Sequence, residues 1–201
     1  NYICNHTDSQ GRYSFSNQPS IAEWNCYALA SALIDLFSET ELRDILSKFN
    51  DYFYDSLLEK YRKKLGFKSA LDSDYDLLLG LFEIMETERL DYTNTFRDLS
   101  MIITSSDDLK LSGNFSSWLA SYKARLGKDE NNIEQSIFVM HENNPKYILR
   151  NYLAQSAIED AEEGKSEKID QLAKVLSKPY DDLGKPMEKY CKPAPKDCLL
   201  Y

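Results

Sequence analysis

Four acids, Asp72, Asp74, Asp76 and Glu83, stand at positions 1, 3, 5 and 12 of an EF-hand-type loop, where a calcium ion collects oxygen ligands. Position 6 of such a loop turns sharply and takes Gly, but Leu77 fills it and opens an apolar run. These acids read more simply as a helix start, where negative charge complements the dipole. His141-Glu142 begins like the zinc motif H-E-x-x-H, yet Pro145 replaces the second ligand. His6 is the only other histidine. Gly164-Lys165-Ser166 imitates the end of a phosphate loop, but Glu159 stands where the first Gly belongs and no strand precedes it. It is read as a helix stop followed by a helix start. Two glycosylation sequons, at Asn5 and Asn114, are frequent by chance. Glu159, Asp160, Glu162 and Glu163 read as a solvated face. Cys4, Cys26, Cys191 and Cys198 lack the C-x-x-C spacing of a zinc site and are too few for a disulfide scaffold. Cys26 lies in an apolar helical stretch, where it is expected buried; the other three lie in loop-like ends. Residue chemistry alone therefore yields no catalytic, cofactor-binding or metal-ligating set.

The elements that would position these groups are helices. Seven Gly and six Pro in 201 residues are few for a sandwich or barrel, and no strand-like alternation persists. Ser20 with Glu23, and Ser38 with Glu41, have capping-box spacing. The first opens a stripe through Ile21, Trp24, Ala28, Ala32 and Leu36. The second opens a helix that, if continuous over 39–65, spans about 40 Å and stops at Gly66. Further helical periods run over 74–90, 92–103, 115–126, 132–142 and 166–177. Another has Pro145 in its first turn and ends near Gly164. Trp24, Phe49, Phe53, Phe82, Trp118, Leu149 and Leu153 are the expected core. The fold class is all-α, with about eight helices by this count.

A net charge of −9 disfavours nucleic acid and anionic membranes as partners. No apolar run approaches the roughly 20 residues of a membrane span. With no visible signal peptide and Asn as first residue, the sequence is read as a piece of a longer protein.

Longer motifs point further. Ile3-Cys4-Asn5-His6-Thr7-Asp8, Gly11-Arg12-Tyr13-Ser14-Phe15, Asn17-Gln18-Pro19 and Trp24-Asn25 resemble the segment that follows the metal-binding Asp of the selenoprotein O (SelO/YdiU) family. Asp91-Tyr92-Thr93 and Phe96-Arg97-Asp98-Leu99-Ser100 are similar to the same family, as are Trp118 to Leu126, Asn144 to Gln155 and Lys178-Pro179-Tyr180-Asp181, all in the family's order. The resemblance implies a protein-kinase-like fold (a pseudokinase) that transfers AMP from ATP to Ser, Thr or Tyr hydroxyls of proteins with Mg2+. The family's N-x-D-N and D-Y-G motifs, which would bind ATP and Mg2+, would lie upstream of Asn1, so no catalytic residue is carried over and the fragment alone is expected to be inactive. The implied organisation is an activation-segment-like loop over 1–19, a helical C-lobe and family-specific extension over 20–178, and an irregular tail over 179–201. The implied location is intracellular, cytoplasmic in a bacterium or mitochondrial in a eukaryote. Family members commonly end in a redox-active tail, which implies that Cys4 pairs with a tail cysteine. The family's usual partner would lie past Tyr201; Cys198, and after it Cys191, are the tail thiols in this sequence, against the alternative that Cys4 is a free thiol. A non-catalytic helical interaction domain is the competing functional class.

Overall fold

The computed structural model describes residues 3, 7–105, 112–129 and 132–195. Among these the chain is all-α, with nine α-helices, two short 3-10 segments and no strand. They fall into two compact units, Asn1–Glu59 and Lys60–Tyr201.

The first unit opens with a 3-10 turn, Phe15–Asn17, that runs into α1 (Gln18–Ala32). The Ser20–Glu23 capping box does not form. Pro19 sits in the first turn of α1, where its fixed φ suits a start and its missing N–H costs nothing. The Glu23 carboxylate instead accepts from Asn50 Nδ2 at 3.0 Å. The second box does form. Glu41 N donates to Ser38 Oγ and Ser38 N to Glu41 Oε2, opening α2 (Glu39–Leu46).

The long helix expected over 39–65 is two helices. Ser47 Oγ donates to the Asp44 carbonyl at 2.8 Å and Lys48 N to the Ile45 carbonyl. A serine that bonds backbone locally competes with the helical ladder, and α3 (Phe49–Lys64) begins afresh. Gly66 is the stop, at φ +74°.

In the second unit α4 (Asp74–Thr87) packs on α6 (Gly113–Leu126), and α5 (Tyr92–Ile102) on α7 (Ile133–Asn143). Leu78, Leu81, Phe96, Leu99, Tyr122 and Met140 form the buried centre. Tyr122 stacks on Trp118 at 5.0 Å between ring centroids and donates its hydroxyl to the Leu65 carbonyl at 2.7 Å. Burial with a polar tip satisfied is what an inward tyrosine requires. A second cluster unites α8 (Asn151–Glu162), α9 (Glu167–Leu176) and the 3-10 segment Lys185–Tyr190 around Tyr147, Ala157, Leu172 and Val175. That 3-10 segment lies in the stretch expected to be irregular.

Pro145 does not begin a helix. Residues 145–150 are non-helical because Lys146 N and Tyr147 N both donate to the Pro179 carbonyl, at 2.7 and 3.0 Å, and α8 starts at Asn151. Leu149 is consequently 56% exposed, and Trp24 is 55% exposed. Of the seven expected core residues only Trp118 is buried; Phe49, Phe53, Phe82 and Leu153 are half-buried. Cys26 is also half-buried rather than buried. Period finds a helix's apolar side, but how deeply it sinks depends on what faces it.

Candidate functional site

The opening loop is built by its own polar side chains. The Asp8 carboxylate accepts from Arg12 N at 2.9 Å and Tyr13 N at 2.8 Å. Gly11, at φ +67°, donates its N–H to the Asp8 carbonyl, and its own carbonyl accepts from Asn17 Nδ2 at 3.0 Å. Gln18 Nε2 closes the turn on the Tyr13 carbonyl. The Arg12 guanidinium lies over the Trp24 ring, 5.0 Å from its centroid. The residues that carry the family resemblance in this loop thus hold its shape. Asp8 spends its charge on backbone amides, an arrangement that shapes backbone rather than binding a cation.

In the second unit the two resembling blocks, 91–100 and 144–155, are tied to each other. Arg150 grips Asp91 through both carboxylate oxygens, at 2.6 and 2.9 Å. Asp91 also caps α5 by accepting from Asn94 N. Burial would raise the Asp91 carboxyl, but the hydrogen bonds from Arg150 and the Asn94 amide outweigh it and hold the group below its ordinary value. A bidentate charge-assisted pair of this kind fixes orientation as well as distance. Arg97 Nη1 donates to the carbonyls of Asn144, at 2.9 Å, and His141, at 3.2 Å, which secures the C-terminus of α7. Asn144 is fully buried; its Nδ2 donates to the Lys64 carbonyl and its Oδ1 accepts from Lys64 Nζ. The Lys64 ammonium lies over the Phe96 and Tyr92 rings, and burial pushes it below its usual range. Lys146 pairs with Asp182 at 2.8 Å.

His141 lies at this junction with Ser100, but the pair is not an activated nucleophile. Ser100 Oγ donates to the Arg97 carbonyl at 2.8 Å, so His141 Nε2, 2.9 Å away, is left to donate to Ser100 Oγ. Ser100 is itself buried. Burial, with Arg97 and Lys146 nearby, lowers the His141 pKa against a weaker opposite pull from Asp182. Neutral imidazole is therefore the folded form. Stability is expected to be fully present above about pH 6.5, the unfolded value, and to fall as pH drops from there towards the lowered folded value, because the unfolded chain binds the proton first. His141→Gln should flatten that stretch of the stability–pH curve. Urea titrations of both proteins between pH 7.5 and 5 check this, and parallel curves would contradict it.

Asp72, Asp74, Asp76 and Glu83 do not converge. The Asp74 side chain is fully buried and faces Arg125 Nε at 2.5 Å and Arg62 Nε at 2.7 Å, so its carboxylate is already neutralised. Asp129 completes the network, accepting from Lys68 N at 2.8 Å and from the Ser69 hydroxyl, and pairing with Arg125. The spacing of the acids suggested only a charged helix start. The signal for this network was Arg125 itself, a charge in register with Trp118 and Tyr122 on an apolar face. Among the described residues no three His, Cys, Asp or Glu side chains could hold a metal ion. At Gly164 the chain has φ +80° and ends α8, as expected. Ser166 precedes α9 without a side-chain cap bond. Lys165 pairs with Glu163 and Lys168 with Asp160 on the surface.

Cys4, Cys198 and His6 lie outside the described residues. Cys191 Sγ donates to the Glu188 carbonyl at 3.1 Å and packs on the cluster of α8 and α9.

Comparison with known proteins matches residues 1–177 to a family model described as protein adenylyltransferase SelO. A protein nucleotidyltransferase YdiU of Pseudomonas fluorescens SBW25 is 40% identical over 96% of this chain and 41% of its own length. A namesake from Cupriavidus metallidurans is 35% identical over 97% of this chain and 40% of its own. The chain spans about two fifths of the length of the curated relatives it matches. No helix among the described residues is long and apolar enough to cross a membrane.

Proposed function

Because this chain belongs to the SelO family, we propose that it is the C-terminal part of a protein adenylyltransferase that moves AMP from ATP to Ser, Thr or Tyr hydroxyls of protein substrates. The observation that carries this reading is that the blocks of family resemblance are the residues that build its joints. Asp8 shapes the opening loop, and the Asp91–Arg150 and Arg97–Asn144 pairs lock the helical part. Residues so committed act by positioning. The expected organisation, a loop over 1–19, helices over 20–178 and a tail over 179–201, belongs to this proposal.

ATP and Mg2+ do not fit the described residues. Phosphoryl and nucleotidyl transfer needs metal-held carboxylates and cationic clamps converging on the phosphates. Here Asp74 is committed to two arginines, Asp91 to Arg150 and Asp129 to Ser69. No step through the nucleotide is assigned to these side chains, and the reading places that chemistry in the part of the family chain that this segment does not span.

The test is transfer of label from α-labelled ATP by the complete protein, run beside calorimetry of Mg-ATP with residues 1–201. We expect labelled protein from the complete chain and no micromolar binding by the segment. A complete protein with intact N-x-D-N and D-Y-G motifs that transfers no AMP would sink the reading and favour a non-catalytic interaction domain. The proposal includes redox control through Cys4 and Cys198. Peptide mapping without reductant that finds Cys4 unpaired under oxidising conditions would remove that element alone.

A further inference from the structure

Arg12 is the only Lys or Arg among the first 42 residues, and the fold holds it without giving it a counter-ion. Its backbone N–H is fixed by the Asp8 carboxylate. Its guanidinium lies over two rings, 5.6 Å from the Tyr13 centroid and 5.0 Å from that of Trp24. The acids nearest in sequence are engaged elsewhere: Asp8 accepts from the Arg12 and Tyr13 amides, and Glu23 accepts from Asn50. Among the described residues no carboxylate pairs with the guanidinium. Arg12 is exposed, as are both rings, and Phe15 two residues beyond Tyr13 is exposed too. A guanidinium stacked on aromatic rings presents a planar fork that matches a carboxylate through two parallel hydrogen bonds. Holding it in place beforehand spares the entropy that a loose arginine loses on binding.

We infer that Arg12 is an anchor for a carboxylate of the protein substrate, with Tyr13 and Phe15 as the apolar surface beside it. Charge names the ligand. A triphosphate calls for several cations converging on it, whereas this one stands alone, with no second Lys or Arg before Arg43. One fork matches one carboxylate. Exposed aromatic rings next to an arginine are also the composition of a protein-binding spot. The inference rests on the reading that the chain is part of an adenylyltransferase acting on proteins, and adds to it a preference for substrates that carry Asp or Glu.

The experiment uses the complete protein as wild type, Arg12→Gln and Arg12→Lys, with two acceptors, a random copolymer of glutamate and tyrosine and one of lysine and tyrosine. Fluorescence anisotropy of the labelled polymers reads binding, and incorporation from α-labelled ATP reads transfer. We expect Arg12→Gln to weaken binding of the glutamate copolymer, and to raise its KM, about tenfold, the weight of one charge-assisted contact. Arg12→Lys keeps the charge without the fork and should recover part of the loss. The lysine copolymer should bind wild type and Arg12→Gln alike. No binding of the glutamate copolymer by wild type, or equal binding by wild type and Arg12→Gln, overturns the inference. So does an equal loss with both copolymers, the mark of a loop that has lost its shape. A rise in KM for ATP also overturns it, since that would put Arg12 against the nucleotide. Binding that depends on Arg12 without any transfer sinks only the enzymatic reading, and transfer indifferent to Arg12 sinks only this inference.

Discussion

Asp74→Ala should destabilise the second unit by about 3–5 kcal/mol, the usual cost of breaking a buried ion pair from one side. The Asp74 side chain is fully buried and that of Arg125 is 4% exposed, with the guanidinium resting on the Phe67 ring 4.3 Å from its centroid. Removing the carboxylate leaves that cation with Asp129 and the Ser69 carbonyl and frees the Leu71 N–H that also bonds Asp74, at 3.0 Å. A domain of this size is stable by only about 5–15 kcal/mol in total, so much of the native population is at stake. Removing the charge on both sides, as Asp74→Leu with Arg125→Met, should recover a large share of the loss, since the expense lies in the orphaned charge. Urea unfolding followed through Trp118 measures both. A loss below about 1 kcal/mol for the single variant, the level of a surface pair, would mean that the network is solvated. The pair also sets an acid limit. Burial would raise the Asp74 carboxyl, but hydrogen bonds from Arg125, the Leu71 amide and Arg62 hold it below its ordinary value. Its contribution is complete above about pH 3.9 and is lost as pH falls from there through the lower native value.

Gly66→Ala should be nearly as damaging, and for two separable reasons. At φ +74° an alanine pays the left-handed penalty, about 1–2 kcal/mol. Its Cβ would also lie 2.9 Å from Met140 Cγ and 2.9 Å from the Ser136 carbonyl oxygen. The methionine tip can turn aside but the carbonyl cannot, and overpacking of this kind adds about 1–3 kcal/mol. Gly164 separates the two effects. It has φ +80° with nothing within 4 Å of the site a Cβ would take, so Gly164→Ala should cost the backbone term alone. Thermal unfolding of the two variants side by side gives the difference, and equal shifts would show that the contact with α7 is not tight.

The helices were legible to different degrees. Strong local punctuation acts where it stands: the Ser38–Glu41 box, the Gly66 stop and the end of α6 at Leu126 all lie where spacing puts them. Where two local signals competed, the choice was made elsewhere. Ser20–Glu23 has box spacing, but Pro19 starts the helix earlier and Asn50 takes the Glu23 carboxylate. Pro145 is suited to a helix start, but the Pro179 carbonyl, more than thirty residues away, draws the backbone of 146 and 147 out of the helix.

By itself the sequence determined the all-α class and the family, because helical period and cap chemistry act over a few residues and long ordered motifs survive without knowledge of contacts. Tertiary structure alone decided what the charged residues are for. Asp74 and Arg125 are 51 residues apart, and Asp91 and Arg150 are 59 apart, so neither pair has a local signature. An aspartate heading a helix reads the same whether it meets water, calcium or a buried arginine. Burial and the partner's approach distinguish these cases, and both exist only once the helices have packed.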